Sequence, residues 1–183
     1  MSEFEEYSAE LLLASKKFMS ESKVAGIAKP EQQRFLRAAL TQAFFFLEAQ
    51  LNYLAAHFSG SKDFDIVERS LLSERAIGMQ KGVFVLTEAP KFFKLEDRIE
   101  FLLARFSKSV VSAKGQWFSN LKTSLLLRNR LVHPKEVHEV LLSEVELAIL
   151  AILDCLSALY LAIFQKPFPL SKLGLHPGPS QEF

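Results

Sequence analysis

One run of apolar residues constrains this chain more than any other feature. Leu36, Leu40, Phe44, Leu47, Leu51, Leu54 and Phe58 recur at steps of three and four. At about 100° per residue they line one side of a single long helix. Such a stripe needs other elements to cover it. The chain therefore reads as a helical bundle built around this segment.

The rest of the pattern agrees. A first helix starts near Ser2, whose "SEFE" fits a capping box, and carries Leu11, Leu12 and Phe18. Gly26 and Pro30 punctuate its end, and Pro30 followed by Glu31 suits the opening of the long second helix. A third helix is expected from about Phe64 to Met79. The stretch "GMQKGVFVLTEAPKFF" has two glycines, a β-branched run and a proline, and reads as a long connection with a short extended piece. A fourth helix is expected from about Leu95 to Val111, with Ile99, Leu102, Leu103, Phe106 and Val110 on one face and Gly115 breaking or capping it. A fifth spans about Gln116 to Val132. The last starts at Ser143, where "SEVE" is another capping box, and ends near Phe164. It is apolar nearly all the way round, as suits a helix packed on several neighbours or at a dimer interface. The expected class is all-α, an antiparallel bundle of about five to six helices. Residues 1–165 form one domain. Residues 166–183, with four of the seven prolines, read as an extended or disordered tail.

Composition narrows the classes of function. The net charge of +1 gives no global pull toward nucleic acid or membrane. Charge is nevertheless uneven. Lys94 to Lys135 holds nine Lys/Arg against three acids, whereas Glu136 to Phe164 holds five acids and no Lys or Arg. That segregation suits either a local basic face or ordinary solvated helix faces. The one cysteine, Cys155, lies in an apolar run and reads as a core residue in a reducing, cytoplasmic setting. The acidic start "MSEFEEYSAE" does not resemble a signal peptide. The two longest apolar segments contain Arg37 and Glu48, and Glu146 and Asp154. Internal charges are expensive in lipid, so both read as helices of a soluble bundle without membrane contact.

Phosphate-loop, dinucleotide, CxxC, HExxH and G-x-S-x-G patterns do not occur. His133 and His138 are five apart, but no ligand cluster accompanies them, and neither metal nor cofactor is expected. His57 sits near a helix C-terminus and reads as structural. His176 lies in the tail.

The residues that stand out are in "LLLRNRLVHPKE". Phe118, Leu121, Leu125, Arg128 and Val132 follow steps of three and four. Arg128 therefore points where the core face points, at electrostatic cost unless paired. Arg130, offset by about 200°, points to water. Glu48, with Phe44, Phe45, Leu51 and Asn52 as helical neighbours, is the candidate partner for Arg128. Pro134 disfavours helix at His133, so the helix ends at about Val132. In a continued helix Arg128 and His133 would stand about 140° apart. The exit is what could swing His133 back toward Arg128.

"RNRLVH" fits R-x4-H with a polar residue after the arginine, and resembles the signature of the HEPN superfamily. "FFFLEAQLN" is similar to its apolar helix with an internal glutamate, and "KLEDRIEFLLARF" to a middle helix of several prokaryotic groups. The likeness covers about Leu36 to Phe164. It implies a metal-independent ribonuclease acting as a homodimer, with paired motifs facing across a cleft. It also implies RNA as partner, and an antitoxin or regulatory protein in toxin or defence systems. Arg128 and His133 would be the catalytic pair, Asn129 the polar accessory and Glu48 a weaker support. The other implied role is a non-catalytic module that binds RNA, nucleotide or protein.

Overall fold

The structure, a computed structural model of the chain, describes residues 3–58, 60–107 and 114–173. Among these it is mostly helical. In order come α1 (Glu3–Glu21), α2 (Lys29–Phe58), α3 (Ile66–Ser73), β1 (Arg75–Gln80), β2 (Val83–Pro90), α4 (Leu95–Phe106), α5 (Gly115–Val132), α6 (Leu142–Phe164) and a 3-10 turn, Pro169–Leu173.

The stripe on α2 is the seam that the sequence demands. Leu36, Leu40, Phe44, Leu47, Leu51 and Leu54 are fully buried, and Phe58 packs at the edge. α1 lies along α2 over its most extensive interface, and α6 packs against α2, α4 and α5. α6 is long and apolar enough to cross a membrane by length and composition. Here its apolar surface is shared among those three neighbours, with Val145, Ile149, Ile152, Cys155, Leu156 and Leu159 buried. Its box lies two residues before the expected one: Glu144 accepts the Leu141 N–H at 2.8 Å, and Ser143 is inside the helix. Ser2 lies outside the described residues, as do Val110 and Val111.

Four expectations need correction. The third helix is short. Asp65 caps it by accepting from Val67 and Glu68, while Glu68 accepts the Asp65 N–H. It stops at Ser73 because Glu74 turns left-handed, at φ 52°. Second, the presumed long connection is an antiparallel β-hairpin in which Ile77 faces Leu86 and Met79 faces Phe84. Lys81 and Gly82, with φ of 50° and 79°, form its two-residue turn. Positive φ at both central residues suits the right-handed twist of a hairpin. Among the described residues the chain is thus mostly helical, close to the expected class, with one small two-stranded sheet added. Third, the start of the tail is packed. Phe168 is 2% exposed, with ring centroids 6.1 Å from Phe46 and 4.8 Å from Tyr160. An aromatic ring gains more from that apolar site than an extended tail would allow. Gly115, finally, opens α5 rather than closing α4.

Candidate functional site

The stripe on α5 positions the site. Phe118, Leu121 and Leu125 are buried against the bundle. Arg128, next on the stripe, reaches the rim of a cleft between α5 and α2. There its Nη2 lies 3.0 Å from Glu48 Oε1. Nη1 donates to Asn129 Oδ1 at 3.2 Å. The Arg128 and Glu48 side chains keep 30% and 39% of their exposure, so the pair is reachable from solvent. Val132, expected to continue the packed stripe, is 52% exposed. In the last turn of α5 it is Leu131 that still packs against the core, while Val132 faces solvent.

A second arginine shares this cleft. Arg98 on α4 is 4% exposed. Its Nη1 lies 3.1 Å from Glu74 Oε2 and its Nη2 donates to Asn52 Oδ1 at 2.8 Å. Burial pulls the Arg98 pKa below its usual value, and the charges of Glu74 and Glu48 oppose that pull. Glu48 therefore lies within electrostatic reach of both arginines. The cleft has a volume of about 640 Å³ and is walled in part by Phe92 and Phe93. Three acids (Glu48, Glu74, Glu96) face three bases (Lys94, Arg98, Arg128), so its formal charge is balanced.

His133 is elsewhere. Its N–H makes the last helical bond, to Asn129 O at 3.0 Å. It then leaves the helix at φ −123°, ψ 64°, one residue before Pro134. Its exposed side chain lines a separate hollow of about 420 Å³ with Asn129, Arg130, Lys135 and His138. The structure thus gathers Glu48, Arg128 and Asn129, and places His133 in the neighbouring hollow. Asn129 borders both. The helix exit does not carry His133 into the Arg128 cleft: it leaves at φ −123°, ψ 64° with its side chain exposed in the second hollow.

Arg98, Asn52 and Glu74 are the cleft residues that sequence reasoning missed. For Arg98 the signal is present. Leu95, Arg98 and Leu102 follow steps of three and four, the same logic that singles out Arg128. Elsewhere, Cys155 is fully buried and its thiol pKa is pushed up, first by burial and then by Asp154. His57 Nδ1 lies 2.9 Å from Tyr53 O, back along its own helix. His176 lies outside the described residues. Among the described residues no three His, Cys, Asp or Glu side chains gather to hold a metal. In comparisons with known proteins, no family model, no curated protein and no solved structure matches this chain.

Proposed function

We propose that this chain is a HEPN-like, metal-independent endoribonuclease whose active site is completed by a two-fold dimer. One observation carries the reading. Arg128 stands solvent-accessible beside Asn129, and His133 leaves the same helix one turn later with its side chain exposed. A helical bundle with a glutamate facing that arginine is consistent with a HEPN-like arrangement.

The chemistry needs only these side-chain types. The RNA 2′-OH attacks the adjacent phosphorus, the bond to the 5′-oxygen breaks, and a 2′,3′-cyclic phosphate remains. One base takes the 2′ proton and one acid protonates the leaving oxygen, both suited to histidine. Arginine presents a permanently charged fork to the phosphate oxygens. One chain offers one histidine at this helix end. A two-fold axis near α5 supplies the second His133 and second Arg128, so acid and base come from different subunits. The setting proposed is cytoplasmic, with an antitoxin or regulatory protein as a further partner.

A second reading is favoured by the separation of the Arg128 and His133 hollows within one chain. On it the protein is a non-catalytic HEPN-like module that binds RNA, nucleotide or protein. One experiment divides the two. RNA and DNA of the same sequence are incubated with the protein in EDTA, and binding and product ends are measured. Cleavage of RNA alone, leaving cyclic phosphate ends, supports the ribonuclease. Binding without turnover, weakened in Arg128→Ala, supports the module.

A further inference from the structure

We infer that the surface where α5 runs into the loop before α6 is a groove for the phosphate backbone of single-stranded RNA, distinct from the Arg128 cleft. The choice of RNA rests on the proposed ribonuclease reading. The groove itself rests on charge and shape.

Two hollows of about 410 and 420 Å³ share Arg130, Lys135, Glu136 and His138, so they lie side by side on one surface. Arg37 of α2 lines one and His133 lines the other. Arg37, Arg130 and Lys135 against Glu136 leave a formal surplus of two positive charges with both histidines neutral. Among the described residues none of those three cations is in an ion pair, whereas Lys23, Lys29, Arg98, Lys114 and Arg128 each are. Of the nearby acids, Glu139 pairs with Lys29 at 2.6 Å, and Glu144, which lines an adjoining hollow with Arg130, accepts the Leu141 N–H.

Arg37 Nη2 donates to the His138 carbonyl at 3.1 Å, which fastens the loop onto α2. Arg37 Nε and His138 Nε2 are both shielded from solvent with no hydrogen-bond partner. Buried donors without acceptors are unfavourable. Both atoms lie beneath the groove surface, so the attraction for an anion rests on the exposed charges of Arg130 and Lys135. The Arg128 cleft has no such surplus, so a polyanion is drawn along the groove and delivered to His133 at its end.

The test uses a fluorescein-labelled, fully 2′-O-methylated RNA, which cannot cleave itself. Its affinity is measured by anisotropy across a salt series. Arg130→Ala and Lys135→Ala should each weaken binding several-fold and flatten the salt slope by about 0.7 per lost phosphate contact. Lys17→Ala, on exposed α1 surface, should change neither. Unchanged affinity and slope in the groove variants overturn the groove, and so does preferential binding of a labelled polyglutamate peptide. Unmodified RNA separates the two ideas. Cleavage with groove variants that bind normally removes the groove and keeps the ribonuclease. Charge-dependent binding with no cleavage of unmodified RNA keeps the groove and removes the ribonuclease.

Discussion

Glu48 Oε1 meets Arg128 Nη2 at 3.0 Å across the cleft between α2 and α5, and the pair stays open to water. An accessible pair of this kind contributes little to stability, at most about 1 kcal/mol. Its effect is on position, holding the guanidinium at the cleft rim. Glu48→Gln should therefore shift urea unfolding by less than about 1 kcal/mol. Arg98 is the contrast. It is buried against Glu74 and Asn52, and Arg98→Ala strands the Glu74 charge. Because Glu74 keeps 24% of its exposure at the cleft, that variant should lose about 1–3 kcal/mol in the same measurement.

Phe168 belongs to the core although it lies beyond the last long helix. Its ring packs between Phe46 and Tyr160. Phe168→Ala should cost about 3–5 kcal/mol by denaturant unfolding, as for other buried phenylalanines. An extended tail would predict no change.

The hairpin turn depends on Gly82, at φ 79°. A side chain there is strained by about 1–2 kcal/mol. Gly82→Val should speed amide hydrogen exchange through β1 and β2 while leaving α2 and α6 protected. Equal exchange in both proteins would show that the turn does not set the hairpin.

Tyr160 gives a pH dependence with a definite sign. Burial, with smaller contributions from Tyr53 and Glu5, pushes its phenol up from 10.0 to about 12. The unfolded chain releases this proton first, so stability is complete below pH 10 and falls as pH rises toward about 12. Tyr160→Phe should flatten that part of the stability curve. It should also lose about 1 kcal/mol at neutral pH, because the hydroxyl donates to Gln50 Oε1 at 3.0 Å. Stability curves of equal slope for the two proteins would contradict the shift.

The bundle was legible because burial on one side imposes a period, and α2 obeys it from Leu36 to Leu54. The same period found Arg128 and paired it with Glu48. It failed at Val132, since periodicity cannot say where the covering element ends. The hairpin was hidden because its residues are only half-buried and do not alternate cleanly. Its readable signal was Lys81–Gly82 between "MQ" and "VFV". Arg98 falls in the basic segment Lys94 to Lys135, which suits a solvated face, yet its place on a stripe argues for burial. The separation of His133 from Arg128 turns on the exit torsions at His133, which a residue pattern constrains only loosely.

The most direct measurement is the rate of RNA cleavage in EDTA by the wild type and by His133→Ala. Loss of a histidine acting as acid or base should lower the rate by about 100- to 10,000-fold. The wild-type products should end in 2′,3′-cyclic phosphate. No cleavage by the wild type, or equal cleavage by His133→Ala, would contradict a ribonuclease centred on this helix end.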